Sequence, residues 1–577
     1  MWLAGCRREY HRKPRAQRLR GCSSPRFRPN CRTSLIVRPK SRRSTRPGGA
    51  MWWVIFAAGV FLFAISCLNA MNLMLVRVLG RMRELSIRLA VGCGRARIAR
   101  LFLIDGAVLT TASGGIVLLV ARWWFHPLFA LVYGDPVTSS DFFADWVIAG
   151  SVTGLCLVTA LAIALLPILQ ISKADLVGGL KAGGASTGDN RHRGRLRSAF
   201  VAIQAALAVI LLVGTGLMMR TVQRLQAVDL GFDPTGKVKV ELVFPPGFEP
   251  KPAARLQYFE RLRERVAAIP GVKSAAFGED ALLVGGYHAP APNFEMKDGK
   301  YQSVAVSFLS AAYAETAGMK LKRGRWFSDR SGEQEAVINE TLARFRFGDE
   351  DPIGQSFKFR GYRERQFQVV GVVRDVRETV RDAAGMRFYL PDSGAPTAVS
   401  ALILRLDHES GPAFKGMVRR TIYDFDPMLI TNYVASLHER AEGSLHAERL
   451  TLVILRGLAV IALTLAVIGL GSVMAYSVGA RTREFGVRLA LGAPSANLYR
   501  LVLKRGMATV TLGVLIGTAV AIAATRFLQT LLFETASYEP GVYLAVTGIL
   551  LLSGAFACWL PARRAAKVDP MVALRAE

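Results

Sequence analysis

The sequence is poor in cysteine and histidine for its length, and neither residue is placed where it could organise a metal or redox site. Seven cysteines and seven histidines are spread over 577 residues. No cysteine pair has CxxC spacing, and no cysteine falls between residues 222 and 448. A disulfide framework is therefore excluded for that long polar stretch, and the sequence predicts neither a metal nor a cofactor.

Acidic residues are also scarce: 43 Asp and Glu stand against 74 Lys and Arg, a net charge of +31. Such a balance can indicate nucleic-acid binding. Here the excess is concentrated in residues 1–50, which hold 15 basic residues and one acid, and in short loops beside apolar runs. Loops of that kind follow the positive-inside rule of membrane proteins, so nucleic acid is not an expected partner. Residues 1–50 are expected to be a disordered basic segment.

The sequence also lacks a credible nucleotide-binding loop or catalytic constellation. Residues 231–237 resemble GxxxxGK[ST], but Val238 stands where a hydroxyl is needed and Pro234 disrupts the loop. Acids and hydroxyls of residues 222–448 form no nucleophile–base or paired-carboxylate pattern. We expect no enzymatic activity, and any ATP-driven function would need a separate ATPase.

Apolar residues are abundant: 51% of the chain is hydrophobic, and the mean hydropathy is +0.29. Crossing a bilayer takes about 20 predominantly apolar residues. Seven runs with at most one charged residue qualify: 52–76, 101–121, 146–169, 198–218, 451–478, 507–532 and 542–562. An α-helical transmembrane protein of about seven spans is therefore predicted. The polar stretch between the fourth and fifth spans is long enough for a core of its own.

A repeated segment occurs once in each of the two groups of spans, at an offset of 400 residues. Residues 81–106 and 481–506 are identical at 12 of 26 positions without a gap. Residues 167–175 and 561–569 end the two copies with a shared Pro, Lys and Asp. Each copy holds three spans, which predicts two parallel membrane repeats.

Loop charge predicts the topology. The basic loops 77–100 and 481–505 should be cytoplasmic, and the acidic loop 122–145 should be outside. It follows that residues 222–448 are extracytoplasmic. Seven spans with a cytoplasmic carboxyl terminus put residues 1–50 outside, against their charge. The simplest interpretation is that a first span and a first outer domain are missing.

Strand and helix patterns alternate in the polar stretch. Strands are predicted at 272–277, 337–339 and 367–373, with a helix at 340–345. A further helix at 253–268 has apolar residues at helical spacing: Leu256, Phe259, Leu262 and Val266. This alternation predicts an α+β extracytoplasmic domain.

Both basic loops carry the pattern Arg-Glu-x-x-x-Arg-Leu-Ala-x-Gly. On a helix, the Glu and the second Arg lie four residues apart on one face, and the Gly can end the helix in the left-handed conformation. A solvated ion pair would explain a single copy, but two copies at the same place in the repeat favour a docking helix. The candidate docking residues are Arg83, Glu84, Arg88, Gly92, Arg483, Glu484, Arg488 and Gly492.

The order of one span, an outer domain and three spans, with REFGVRLALGA in the first loop, resembles the FtsX/MacB-like permeases of ABC transporters. Residues 198–577 resemble one whole unit, whose outer domain is similar to the MacB-like periplasmic core domain. That similarity is carried by GMKLKRGRWF at 318–327, VINE at 337–340, DPIG at 351–354 and VVGVV at 369–373. Residues 51–185 resemble the end of a second unit, as in the duplicated, acidobacterial-type permeases.

The resemblance implies a domain organisation. Its parts are the disordered basic segment 1–50, a first FtsX-like repeat at 51–185, a span at 198–218, a MacB-like periplasmic core domain at 222–448 and a second FtsX-like repeat at 451–577. The expected location is the bacterial inner membrane, with multiple passes. Partners would be a cytoplasmic ABC ATPase seated on the eight docking residues, a periplasmic adaptor or substrate protein, and membrane lipid.

Three functions fit these implications. The first is an ABC-type permease that couples the ATPase to periplasmic movements by mechanotransmission, for efflux of a peptide, lipid-linked or macrolide-like substrate or for lipoprotein extraction. The second is an FtsX-like regulatory protein that controls an extracytoplasmic enzyme. The third is a truncated, non-functional remnant. What binds the outer domain would separate the first two.

Overall fold

The computed structural model describes most of the chain between residues 47 and 566. The described residues are 47–81, 84, 87–88, 91, 93–133, 146–172, 187–243, 252–279, 282–283, 293–295, 301–328, 334–360, 366–377, 379–381, 384–391, 399–479, 481–492, 494–528, 533 and 538–566. The expected disorder of residues 1–50 falls almost wholly outside them. The expectation of disorder is wrong for residues 47–50, which form the start of the first helix. Pro47 begins that helix, where its missing N–H sacrifices no hydrogen bond.

Four long helices come first. They are α1 (Pro47–Gly80), α2 (Arg95–Tyr133), α3 (Trp146–Ser172) and α4 (Thr187–Gln226). The central part of α4 is rich in Ala, Val and Leu, as a buried membrane helix requires.

The outer domain follows α4. Its elements are β1 (Lys237–Val243), α5 (Pro252–Ala267), β2 (Val272–Gly278), β3 (Asn293–Glu295), β4 (Tyr301–Ser303), β5 (Ala305–Leu309), α6 (Tyr313–Ala317), β6 (Leu321–Gly324), β7 (Glu335–Asn339), α7 (Glu340–Phe347), β8 (Ser356–Arg360), β9 (Gln366–Val373), β10 (Arg387–Pro391), β11 (Val399–Leu406), α8 (Pro412–Phe425), β12 (Ile430–Ser436) and α9 (Leu437–Ser444). The strands form a sheet in the order β12-β1-β11-β2-β5-β10-β7-β9-β8-β3-β4, with β6 paired to β9. The sheet is mixed, because β5 runs parallel to β10 and β7 parallel to β9.

Helix α5 packs on the sheet through residues that the sequence mostly predicts. Phe259, Leu262 and Val266 are buried against β1 and β11. Leu256 is exposed, and the core position one turn before Phe259 belongs to Arg255. The guanidinium of Arg255 lies over the Phe259 ring and donates to Ser400 Oγ at 3.3 Å. A buried Arg with partners can therefore take the place of the apolar residue that periodicity predicts.

The second group of membrane helices follows the outer domain. They are α10 (His446–Gly479), α12 (Ser495–Leu528) and α13 (Pro540–Ala566), with the short α11 (Thr482–Ala490) between the first two. Among the described residues, six helices are long and apolar enough to cross a membrane: Met51–Val78, Ala96–Val120, Arg195–Gln226, His446–Gly479, Ser495–Arg526 and Pro540–Ala565. Together with the outer domain, they confirm the predicted fold class of membrane helices plus an α+β domain.

One predicted span lies within a helix of which a shorter apolar stretch is described, and another is displaced along the chain. The span expected at 146–169 lies in α3, where the apolar stretch Gly150–Ala164 is described. The span expected at 507–532 falls instead on Ser495–Arg526. Helix α12 begins in a basic stretch containing Arg500, Lys504 and Arg505, which a search for apolar runs with few charges excludes.

The membrane helices pack around α4. This helix contacts α10, α12, α13 and α1, and α1 also contacts α3 and α10. Two glycines let α12 approach α4 closely: a Cβ on Gly513 would lie 2.5 Å from the carbonyl oxygen of Ala202, and one on Gly517 would lie 2.7 Å from that of Ala206. Small residues at such crossings allow the backbone contacts that hold membrane helices together.

In the outer domain, Asp375 ties the start of α7 to the loop after β9. Its Oδ1 accepts from Asn339 Nδ2 and from the Thr341 backbone N–H, both at 2.8 Å, and its Oδ2 accepts from Thr341 Oγ1 at 2.7 Å. Asn339 in turn caps α7 by accepting from Leu342 N–H at 3.2 Å. The carboxylate thus supports both the helix cap and the loop.

Asp375→Ala is expected to destabilise the outer domain by about 2–3 kcal/mol, because it leaves part-buried donors of Asn339 and Thr341 without their acceptor. Urea-dependent proteolysis of the outer domain in the intact protein measures the change. Asp349→Ala, at an exposed position after α7, should change stability by less than about 0.5 kcal/mol. Equal effects of the two substitutions would contradict this role of Asp375.

Candidate functional site

Helix α11 carries the second copy of the repeated motif and is defined at both ends. At its start, the Arg481 N–H donates to the carbonyl of Val478 at 3.1 Å. At its end, Gly492 has φ +87° and donates its N–H to the carbonyl of Leu489 at 3.0 Å. The expected left-handed stop is therefore confirmed at Gly492, where a side chain would be strained.

One side of α11 is fixed to the membrane bundle. Phe485 is buried in the core cluster that also contains Val478, Leu498, Val502 and Ala562, and Leu489 packs against that cluster half-buried. The cluster draws on α4, α10, α12 and α13. Helix α11 is therefore anchored to the bundle through Phe485 and Leu489.

The other side of α11 faces outward and mixes charge with apolar surface. Arg488 Nη2 lies 2.7 Å from Glu484 Oε1, and both side chains are about half exposed. Val487 is 40% exposed and Leu491 is 82% exposed. These four residues lie three, four and seven positions apart, so they share one helix face. We call this set the second docking face.

The first copy presents the same surface. Arg88 Nη2 lies 2.5 Å from Glu84 Oε1, and Ile87 and Val91 are 51% and 83% exposed. The Val91 N–H donates to the Ile87 carbonyl at 3.0 Å, as the N–H of Leu491 does to the carbonyl of Val487. We call Glu84, Ile87, Arg88 and Val91 the first docking face.

The described structure places four of the eight predicted docking residues on these faces: Glu84, Arg88, Glu484 and Arg488. Gly492 ends α11, and Arg483 lies in α11 with its side chain outside the described part. Arg83 and Gly92 also lie outside the described residues. Sequence reasoning missed four apolar members: Ile87, Val91, Val487 and Leu491. Their spacing from the Glu was a usable signal, but a search for identical residues passes over Ile/Val and Val/Leu pairs.

Such a face is suited to binding another protein. Exposed apolar side chains flanked by an ion pair on a short, anchored helix fit the helix-in-groove mode of recognition. The ion pair adds little to folding, because exposed pairs contribute about 0–1 kcal/mol. Within the described part of the chain, no group of His, Cys, Asp and Glu could hold a metal ion.

In the loop that resembles a phosphate-binding motif, the lysine binds a carboxylate of the same turn. Lys237 Nζ donates to Asp233 Oδ2 at 3.0 Å and to the Thr235 carbonyl at 3.2 Å. Burial would raise the pKa of Asp233, but hydrogen bonds from Thr235 and Lys237 together lower it to about 2. The lysine is held by a turn carboxylate, which agrees with rejecting a phosphate site here.

Beside this loop lies a polar cleft of about 100 Å³, lined in part by Ser436, His438 and Glu439. A hydrogen bond from Lys415, 2.6 Å from Glu439 Oε2, lowers the pKa of that carboxyl. Glu439 also completes the capping box of α9 with Ser436. Its carboxylate thus already stabilises the domain, and the docking faces remain the stronger functional candidate.

Comparison with known proteins matches the chain along most of its length. The FtsX-like permease C-terminal model matches residues 56–176 and again 456–570, and the MacB-like periplasmic core domain model matches 203–419. Both docking faces fall inside the FtsX-like matches. That the chain belongs to the duplicated, acidobacterial-type form stays a prediction.

Individual relatives are more distant. The macrolide export ATP-binding/permease protein MacB of Neisseria gonorrhoeae is 26% identical over 283 residues, which cover 45% of this chain and 42% of that protein. The uncharacterized ABC transporter permease YknZ of Bacillus subtilis is 23% identical over 353 residues, which cover 59% of this chain and 85% of YknZ. The chain thus spans less than half the length of the gonococcal relative. Family models, relatives and apolar helices agree that the chain is an FtsX/MacB-like permease of the ABC-transporter type, a multi-pass inner-membrane protein with a periplasmic domain.

Proposed function

We propose that the chain is a permease subunit that couples a separate cytoplasmic ATPase to movements of its periplasmic domain. One observation carries the proposal: two repeat-related faces, each with a Glu–Arg pair and two exposed apolar residues. ABC ATPases act in pairs, and two equivalent faces on one chain would seat one ATPase subunit each. The face on α11 is cytoplasmic if the outer domain is periplasmic, because α10 crosses the membrane between them.

A continuous element joins the second docking face to the outer domain. Helix α10 has 34 residues, which at 1.5 Å each span about 50 Å. At its outer end, Arg381 Nη1 of the outer domain lies 3.3 Å from Glu448 Oε1. At its other end, α10 leads into α11, which Phe485 anchors to the bundle. Movement of α11 would reach the outer domain through one rigid helix.

Close packing of the described part of the bundle is suited to transmission of movement. A cavity between α4, α10, α12 and α13, lined by residues such as Val201, Leu463 and Leu550, holds only about 20 Å³. That volume is about enough for one water molecule. The substrate is expected to be handled on the periplasmic side, and efflux is the direction suggested by the name of the gonococcal relative.

Reversing both motif charges tests the coupling. The variant carrying Glu84→Lys and Glu484→Lys should reach the membrane normally, because each exposed ion pair contributes only about 0.3–0.5 kcal/mol. At an interface a misplaced charge costs several kcal/mol, so stimulation of the partner ATPase should fall at least about tenfold. Glu264→Lys, on the exposed side of α5, is the matched control. Unchanged stimulation of the ATPase in the double variant would show that the Glu–Arg pairs are surface ion pairs without a role in docking.

A further inference from the structure

Two amide side chains, Asn69 of α1 and Gln204 of α4, meet where α1, α4 and α10 touch, and a third, that of Asn72, lies one turn further along α1. Asn72 and Gln204 are each 1% exposed, and Asn69 is 9% exposed. Amides are costly in hydrocarbon unless every polar atom has a partner. Three of them at one helix junction therefore require an account of their hydrogen bonds.

Asn69 links the three helices. Its Oδ1 accepts from Gln204 Nε2 of α4 at 3.1 Å, and its Nδ2 donates to the carbonyl of Leu465 in α10 at 2.8 Å. Gly469 of α10 makes room for the contact. A Cβ at Gly469 would lie 2.3 Å from Asn69 Oδ1 and 2.7 Å from Gln204 Oε1. The junction thus joins the first membrane repeat to the second and to α4.

The junction lies at one depth and at equivalent places in the two repeats. Asn69 and Gly469 differ by the repeat offset of 400. Asn69 precedes the end of its span at Val78 by nine residues, Gly469 precedes the end of its span at Gly479 by ten, and Gln204 follows the start of its span at Arg195 by nine. Nine or ten residues of helix rise about 14 Å, which puts Asn69, Gly469 and Gln204 within the hydrocarbon layer. Asn72, six residues before Val78, lies about 9 Å from that end of the span.

Part of this junction has no protein partner. Both polar atoms of Asn72, Oδ1 and Nδ2, are buried without a hydrogen bond, and so is Oε1 of Gln204. Asn72 lies one turn after Asn69, on the same face of α1. The unmet groups comprise acceptors and an N–H donor and carry no charge. A cation would satisfy the oxygens and leave the Asn72 N–H unpaired, whereas water can both donate and accept.

We propose that Asn72 and Gln204 form an intramembrane hydration site, in which bound water completes the hydrogen bonds of the junction between the two repeats. Buried waters make about three hydrogen bonds to otherwise unsatisfied polar groups, which matches the groups left open here. With Asn69, this water holds α1 of the first repeat against α4 of the second unit.

Leucine substitutions test the proposal by the sign of their effect. If Asn72 has no partner, Asn72→Leu removes a buried polar group and should raise the thermal unfolding midpoint. If water bridges Asn72 and Gln204, Asn72→Leu and Gln204→Leu should each lower it by about 2–4 °C. Gln204→Leu also removes the hydrogen bond to Asn69, so the Asn72 variant and the double variant carry the test. The double variant should then lose less than the sum, because both substitutions break one bridge. Ser66→Ala removes an exposed hydroxyl bonded to its own helix at Leu62 and should cause no shift.

A direct measurement covers the case in which the leucine variants fail to fold. Water-edited solid-state NMR on the wild-type protein in lipid bilayers reports which side-chain amides exchange magnetisation with water. We expect rapid transfer to the Asn72 amide, assigned by its disappearance in Asn72→Ser, a variant that keeps a donor and an acceptor. A raised midpoint for Asn72→Leu, additive leucine effects, or an Asn72 amide without water transfer would overturn the proposal.

Discussion

Replacing Val91 and Leu491 together with aspartate is expected to abolish stimulation of the partner ATPase while leaving the amount of folded permease unchanged. Both side chains are more than four-fifths exposed, so neither contributes measurably to the core. Buried in a partner's groove, each would contribute about 1.5–3 kcal/mol, and a carboxylate there would be strongly unfavourable. A loss of at least about 100-fold in ATPase affinity follows, since 1.4 kcal/mol is a factor of ten.

The two single variants test each docking face separately. If each face seats one ATPase subunit, Val91→Asp and Leu491→Asp should each leave partial stimulation, and only the double variant should lose it. Met428→Asp, at an exposed apolar position of the outer domain, is the control. Affinity and turnover are measured with the purified ATPase and the permease in nanodiscs. Wild-type stimulation in the double variant would show that these helices do not bind the ATPase.

The second large effect is expected at the crossing of α4 and α12. Gly513→Leu would force a branched side chain into a space where even a Cβ lies 2.7 Å from the Cβ of Ala205. Because backbone atoms of Ala202 line the same space, no side-chain rotation can relieve the clash. Overpacking of this kind costs about 1–3 kcal/mol or more, and α4 is the helix around which the bundle packs. We expect the folded fraction in detergent to fall severely.

Gly457→Leu is the matched control for this substitution. Gly457 lies in α10, is exposed, and has no atom within 4 Å of the position of a Cβ. The same change of residue there should leave thermal unfolding in detergent close to wild type. Equal losses at Gly513 and Gly457 would mean that glycine in a membrane helix, and not the close contact with α4, determines the effect.

Hydrophobic runs predicted most of the membrane helices, because the bilayer imposes a length rule that acts locally along the chain. The sidedness predicted from loop charge stays a prediction. The start of α12 escaped prediction, since helix geometry continues through a basic stretch at the membrane surface. The outer domain was predicted at the level of elements. The sequence could not show Arg255 in place of Leu256, because burial of a guanidinium depends on a partner, Ser400, that is 145 residues away.

The docking faces were half predictable. The Glu–Arg pairs repeat as identical residues, so a self-comparison finds them. The apolar members repeat only in residue type. Their exposure follows from the structure, in which Phe485 is buried in the core and the opposite side of α11 is therefore exposed. The amide junction was not predictable, because Asn69 and Gln204 are 135 residues apart and each lies within a largely apolar helix that gives no sign of its partner.

The central claim is that the state of the ATPase sets the position of the periplasmic domain. The direct measurement is the distance between spin labels at Asp349→Cys, exposed in the outer domain, and Leu544→Cys, exposed near the start of α13, in a background without other accessible cysteines. Electron–electron double resonance is recorded with the bound ATPase, with and without trapped ATP. We expect two distinct distance distributions, which merge into one in the Val91→Asp, Leu491→Asp variant. A single unchanged distribution in the wild type, with ATP hydrolysis proceeding at the full stimulated rate, would contradict the account.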